Sequence, residues 1–451
     1  MSGSVQSQRV EAFDSLFKNY EGPAFSIRLW DGWRWVSPGR GNPVCTIVFY
    51  SVGALQSLLA KPSEITLGEA FLAKEIDVEG DIFSVFDVAE HIFCCPRSQR
   101  QRILEVISGV LFGLGQWWQQ GAIHSQERDH AAITYHYDQP VEFYRAWLGE
   151  SLAYSCAYFE SANDDIDEAQ RNKIELICNK LRLQPDERFL DVGCGWGSLI
   201  LHAASAHDVF ANGITISGRQ ATTAAERIHQ SSLDACCHVD LLDYREAPSR
   251  FEPFDKIASV GMFEHVGLRS LPVYFQTIRK LLKPGGVFLN HGIARAPNQG
   301  NRGTSFLDRA VVPFLRDTLR LRSPRDSSFI DKYVFPDGEL VTISQALWAA
   351  ESAGFEVRDV ENLREHYEMT LRCWVKGLLD QADSLLEIVP EKIFRIWLLY
   401  MAGSAAAFRR GDIAVYQTLL SHPEHGRSGL PLRRDDWYVA DIGSMREPVA
   451  L

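Results

Sequence analysis

Asp191 stands two residues ahead of three alternating glycines, Gly193, Gly195 and Gly197, in the stretch Phe189-Leu-Asp-Val-Gly-Cys-Gly-Trp-Gly-Ser198. Glycines there let the backbone come close to a ligand and take φ values that a Cβ forbids. An apolar, helix-compatible run follows, Leu199-Ile-Leu-His-Ala-Ala204. The first N–H groups of a helix attract polar ligand groups, and Asp191, closing the strand, is placed to hold an amino group of the same ligand. Such a turn alone is equally the mark of a tight strand-to-helix connection, so its surroundings must decide.

A dinucleotide site carries an acidic residue about 20 positions further on, where it holds the ribose. Residues 212–220 read Asn-Gly-Ile-Thr-Ile-Ser-Gly-Arg-Gln and contain no carboxylate. The glycine spacing also departs from G-x-G-x-x-G. Both observations count against NAD and favour S-adenosylmethionine.

The elements that must position this turn alternate. After a helix face formed by Ile174, Ile177, Cys178 and Leu181, the pattern predicts strand 189–192, a helix from 198, strand 209–214, helix 219–229, strands 238–242 and 256–260, helix 273–282 and strand 287–291. This alternation predicts an α/β, Rossmann-like domain with a doubly wound, mostly parallel sheet, its ligand beyond the carboxyl ends of the strands. A helix near 344–353, a strand at 356–360, helices at 368–379 and 392–408 and a β-prone run at 413–419 follow. Upstream, Phe25–Trp30 and Trp33–Val36 flank Asp31-Gly32, a hairpin signal. With a strand at 45–52 and helical patterns at 54–59, 83–93 and 102–119, residues 1–118 read as a smaller α+β domain. Trp30, Trp33 and Trp35 read as packing residues. Residues 119–132 read as a linker, 133–420 as the catalytic domain and 421–451 as a loosely ordered tail.

Composition sets limits. The chain has 451 residues, 46% of them hydrophobic, enough for more than one core. A net charge of −12 argues against a nucleic-acid partner. Nine cysteines without a C-x-x-C fit neither a disulfide framework nor a zinc site, so a metal is not expected. The apolar stretch from Val106 to Gly115, running on to Trp117-Trp118, is shorter than the roughly 20 residues that span a bilayer. With no signal peptide visible, the expected location is the cytoplasm.

Tyr154-Ser-Cys-Ala-Tyr-Phe159, Leu190–Gly197, Gly213-Ile-Thr-Ile-Ser217, Gly261-Met-Phe-Glu-His-Val-Gly267, Phe288-Leu-Asn-His291 and Phe335-Pro-Asp-Gly338 occur in this order. Together they resemble the cyclopropane-fatty-acyl-phospholipid synthase family over residues 130 to 420. The resemblance implies a class I methyltransferase whose Tyr154 and Ser155 close over S-adenosylmethionine and whose Asp191, Gly193, Gly195 and Gly197 cradle it. Thr215, Ser217 and Gln220 then reach the ribose and amino-acid moiety, and Tyr244 and Arg245 flank the adenine. Thr215 and Ser217 have an alternative reading as residues that satisfy backbone groups at a strand end.

The resemblance also implies the reaction: methylene transfer to the cis double bond of an unsaturated phospholipid acyl chain, with a bound bicarbonate ion as base; the alternatives are methyl transfer giving a methyl-branched lipid or acting on another small molecule, and a lipid-binding protein without turnover. Cys156, Glu264, His291, Tyr367 and the backbone at Ile293 match the positions that hold it. His265 reads as structural. Two departures stand out: Pro140-Val141 replaces the family's Gly-Asn, and a cysteine frequent in the late helix is Ser404 here. Residues 294–332 are longer than the family segment and mix Arg309, Arg316, Arg320, Arg322 and Arg325 with apolar residues. That mixture suits transient association with an anionic membrane surface, at its inner face. The resemblance also makes a homodimer through the N-terminal domain an expectation.

Overall fold

The computed structural model describes residues 2–94, 139–296, 329–334 and 339–438. The expected helix 102–119, the linker 119–132, Phe335–Gly338 and Arg309, Arg316, Arg320, Arg322 and Arg325 lie outside the described residues. Two compact units share the chain. Residues 2–94, 329–334 and 383–406 make the first, and 139–296, 339–382 and 407–438 the second. The stretch expected to be wholly catalytic, 133–420, thus contributes two segments to the first unit.

The first unit is built on a four-stranded sheet of order β2-β1-β3-β4, with β1 at Ser26–Arg28, β2 at Arg34–Val36, β3 at Cys45–Phe49 and β4 at Ile76–Gly80. The hairpin forms as expected: Ile27 pairs with Trp35, and Asp31 Oδ1 accepts the Trp33 N–H at 3.1 Å. Trp35 is buried among Phe13, Phe17 and Phe25, and Trp30 and Trp33 pack against the same core. Helices Val52–Ala60 and Ser84–Cys94 match the sequence pattern. Helices Ser2–Leu16 and Glu64–Leu72 and strand β4 do not appear in it, because each is short or weakly amphipathic and is held by tertiary packing. Arg395, in helix Glu391–Arg410, reaches into this unit. Its Nε donates to the Phe71 carbonyl at 2.8 Å and its Nη2 to the Ile76 carbonyl at 3.2 Å.

The second unit carries a seven-stranded sheet of order β10-β11-β9-β8-β5-β6-β7. Its strands are β5 Arg188–Val192, β6 Phe210–Thr215, β7 Cys237–Leu241, β8 Phe254–Val260, β9 Leu282–Arg295, β10 Glu356–Asn362 and β11 Ile413–Ser421. β5 through β9 are parallel, as the alternation predicts; β11 enters antiparallel between β9 and β10. The chain starts at central β5, winds outward to β7, then returns to β8 on the other flank. A crevice therefore opens beyond the carboxyl ends of β5 and β8, where ligands of such sheets sit. Most described residues of the tail from 421 are exposed, but Trp437 is buried in the core beside Leu181 and Leu183, with the Lys180 and Arg182 cations 5.7 and 5.4 Å from its ring. A single large aromatic side chain supplies enough buried area to anchor the segment.

Candidate active site

Asp191, the penultimate residue of β5, lies between Gly213 of β6 and Ala258 of β8, and is 3% exposed. The turn that follows is forced by its neighbours. Gly193 has φ +85°, and a Cβ on it would lie 2.9 Å from Met262 Cβ, so any side chain would push two segments of the cleft wall apart. Arg227, from helix Gly218–Gln230, donates to the Trp196 carbonyl at 2.7 Å and clamps the turn from outside. The result is a cleft of about 160 Å3.

Of the residues expected to meet a cofactor, Tyr154, Ser155, Asp191, Gly193, Gly195, Thr215, Gln220, Tyr244 and Arg245 line this cleft. Gly197 and Ser217 do not. Gly197 is the N-cap of helix Ser198–His207, against Ala224. Ser217 caps helix Gly218–Gln230, its hydroxyl accepting the Gln220 N–H at 3.4 Å. Thr215 combines both readings: it lines the cleft, accepts the Ser217 N–H at 3.2 Å and donates to Gln220 Oε1 at 2.8 Å. Arg245 forms a two-toothed pair with Asp243, at 2.9 and 2.6 Å, which holds a carboxylate at the cleft wall.

Residues at and behind the cleft wall have no local signature. Helix Ile166–Leu181 buries Gln170 and Lys173 on its apolar face. The Gln170 amide donates to the carbonyls of Ala153 and Ser155 at 3.1 and 2.9 Å, fixing the loop over the cleft. Lys173 Nζ donates to Ser155 Oγ at 2.9 Å. Burial pulls Lys173 down to about 8 and pushes Asp191 up to about 7, each opposed by the other's charge. Asp191 Oδ1 is buried without a partner among the described residues. An acceptor of this kind, beside a glycine turn and a helix N-terminus, fits the ammonium and carboxylate ends of an amino-acid-bearing cofactor. His265, read from sequence as structural, also lines the cleft; burial lowers it to about 4, leaving it neutral at physiological pH.

Glu264, His291, Tyr367, Cys156 and Ile293 are not among the cleft's lining residues. Glu264 sits on the turn Phe263–His265, which lies directly over β9 because Gly292 has no side chain: a Cβ there would come within 2.8 Å of the Phe263 ring. Glu264 Oε1 accepts the Ile293 N–H at 2.7 Å, so that amide, expected to face a small anion, is committed to Glu264. The Glu264 carboxyl is enclosed although part of the residue reaches solvent, and burial pushes it up to about 7. His291, 1% exposed on β9, accepts at Nδ1 from the Gln417 amide at 3.2 Å, and burial lowers it to about 3. Glu264 Oε2 and His291 Nε2 are both buried without a partner among the described residues.

Cys156 is fully buried, and its thiol donates to the carbonyls of Ala157 at 3.2 Å and Leu363 at 3.7 Å. Burial raises it far above the usual thiol range, so it is no thiolate. Tyr367 belongs to an aromatic group with Trp374, Phe408 and Tyr154; ring centroids lie 4.7 Å apart for Tyr367 and Phe408 and 5.4 Å for Tyr154 and Trp374. Ser404 belongs to the first unit, whereas the cleft lies within the second. Away from the cleft, Cys178, His202 and His207 bring possible metal-binding atoms within 4.8 Å of one another, but Glu175 Oε2 already meets both imidazole Nε2 atoms, at 2.7 and 3.3 Å.

The family described as mycolic acid cyclopropane synthetase matches residues 124–418, and a domain of unknown function matches residues 12–92. A "Probable fatty acid methyltransferase" of Pseudomonas putida is 37% identical over 91% of this chain and 95% of its own length. The cyclopropane-fatty-acyl-phospholipid synthase of Escherichia coli is 34% identical over 66% of this chain and 70% of its own. Among solved structures, the mycolic acid cyclopropane synthase CmaA1 complexed with SAH and CTAB superposes with a TM-score of 0.56 at 32% identity, covering 64% of this chain and 97% of that one.

Proposed function

The chain belongs to the mycolic acid cyclopropane synthetase family, and from that membership we propose that this S-adenosylmethionine-dependent lipid methyltransferase builds a methylene bridge across a cis double bond in an acyl chain of a phospholipid. S-adenosylmethionine, when bound, supplies a methyl group made electrophilic by its sulfonium. Asp191, with Lys173 behind it, holds the donor's amino group, and Gln170 keeps the 153–155 loop closed over it.

An alkene is a weak nucleophile with no proton to shed beforehand, so positive charge develops on the carbon next to the one attacked. Tyr154, which lines the cleft, heads an aromatic group with Trp374, Tyr367 and Phe408, and ring faces of this kind stabilise such charge. Water must be excluded and a base must stand where the proton leaves. The observation that carries the reading is the pair of buried, unpartnered atoms, His291 Nε2 as donor and Glu264 Oε2 as acceptor. A bicarbonate ion, which accepts through its oxygens and donates through its hydroxyl, suits that donor set and would supply the base. Glu264 and His291 hold it in this reading; Ile293 orients Glu264, and Cys156 packs behind.

The decisive experiment incubates the protein with methyl-labelled S-adenosylmethionine and vesicles of a monounsaturated phospholipid. Label in an acyl chain that no longer reacts as an alkene supports the proposal; no label in the lipid overturns it. The Pseudomonas putida relative, matched over most of the chain and named for fatty acid methylation, favours a second reading. Loss of a proton from the chain rather than from the new methyl would leave a methyl branch and a double bond, which the same product analysis detects.

Among the described residues no helix is long and apolar enough to cross a membrane. In this reading a substrate embedded in a bilayer calls for docking at the membrane's inner face. Replacing Arg309, Arg316, Arg320, Arg322 and Arg325 by Gln should abolish co-sedimentation with anionic vesicles, and unchanged binding would sink this part of the reading.

A further inference from the structure

His291 is reached from β11, the strand inserted antiparallel beside β9, where Gln417 lies directly across from it. Gln417 is 1% exposed and lies between two groups that fix its amide. On one side Lys180 Nζ, itself 1% exposed, approaches Gln417 Oε1 at 2.7 Å. An ammonium can only donate, so the amide oxygen must face Lys180 and the NH2 must face His291 Nδ1, 3.2 Å away. An NH2 group likewise only donates. Nδ1 is then an acceptor, and the single proton of the neutral ring sits on Nε2.

We infer that Gln417, held by Lys180 and Glu361, is a positioning residue that sets the tautomer of His291 so that Nε2–H faces inward as a donor. The chain runs Glu361, Lys180, Gln417, His291, with the Glu361 carboxylate gripping the far side of the Lys180 ammonium. Its four members come from β10, helix Ile166–Leu181, β11 and β9. Reversing the amide would set two donors against each other at Lys180. Burial, reinforced by the Lys173 and Lys180 charges, keeps the ring neutral, so the tautomer is the one variable left. The catalytic consequence rests on the role given to His291 above; the tautomer does not.

The test uses the full-length protein labelled with 15N-histidine. Long-range proton–nitrogen correlation spectra report which ring nitrogen carries the proton, and His291→Gln assigns the signal by its disappearance. We expect an unprotonated Nδ1 and a protonated Nε2. In Gln417→Glu the carboxylate demands an Nδ1–H, so the signal should change to an Nδ1-protonated ring. kcat should fall on the order of 100-fold, while the Kd for S-adenosylmethionine stays within about 3-fold. Lys180→Met releases the amide without adding charge and should give a mixture of tautomers, which keeps the test open if the Glu variant does not fold. A wild-type ring protonated at Nδ1, or a tautomer unmoved in both variants, overturns the inference. A tautomer that moves as expected with kcat unchanged upholds it and overturns the role of His291 instead.

Discussion

The Glu264 carboxylate is divided: Oε1 accepts the Ile293 N–H at 2.7 Å, while Oε2 of the same group is buried with no partner among the described residues. One oxygen fixes the group on β9 and leaves the other to act. Glu264→Gln keeps an oxygen for Ile293 and replaces the free acceptor with a donor. The variant should fold and bind S-adenosylmethionine within about 3-fold of wild type while turnover falls on the order of 100-fold. Calorimetric binding alongside product formation checks this; equal loss of both would count against Glu264 as part of the base apparatus.

Asp191 makes stability depend on pH. Burial raises it from 3.8 to about 7. An acid whose folded value lies above its unfolded value favours folding fully below the unfolded value, and that contribution is lost as pH rises through the folded one. Its share therefore declines between pH 3.8 and about 7, by about 4 kcal/mol. Asp191→Asn should flatten this part of the profile, gaining on wild type as pH rises. Urea denaturation at several pH values between these limits would show it; parallel profiles would refute it.

Lys173→Met should destabilise the protein by about 3 kcal/mol, because it leaves the Asp191 carboxyl buried with no counter-charge. It also deprives Ser155 of its 2.9 Å donor. Adding Asp191→Asn to Lys173→Met should restore part of that loss. A double-mutant cycle in urea reads the coupling, and simple additivity would show that the two groups do not sense each other.

Gly193→Ala demands a Cβ 2.9 Å from Met262 Cβ at φ +85°. Strain at such a position costs about 1–3 kcal/mol. The shifted turn should also weaken S-adenosylmethionine binding by about 10-fold or more. Pairing it with Met262→Ala should relieve the clash but not the φ strain, so binding should recover in part.

Arg395→Ala should lower the stability of the first unit by about 3 kcal/mol, through loss of the buried guanidinium's bonds to the Phe71 and Ile76 carbonyls and of its pairing with Asp77. The guanidinium also stacks 3.8 Å from the Phe71 ring centre and meets Asp77 at 3.2 Å. Arg395→Lys should recover little, since one ammonium cannot serve both carbonyls. Thermal denaturation compares the three proteins.

Much of the second unit was legible along the chain. The β5 turn, the alternation that makes β5 to β9 parallel, the hairpin at Asp31-Gly32 and the start of helix Ser198–His207 follow from short-range periodicity and turn chemistry, which each few residues carry within themselves. The glycines and Asp191 could be placed because they share one turn. Lys173, Lys180 and Gln170 could not, since a polar residue on a predicted helix reads as solvated until the packing partner is known, and all three are buried here. The donor that Ile293 was expected to offer an anion is taken by Glu264, and the residue that orients His291 stands 126 positions away. Sequence alone thus determined the glycine turn after β5 and the class of fold. The tertiary structure decided which buried polar atoms are satisfied and which are left to act, because hydrogen bonds between remote strands depend on sheet order and register, and neither has a period in the chain.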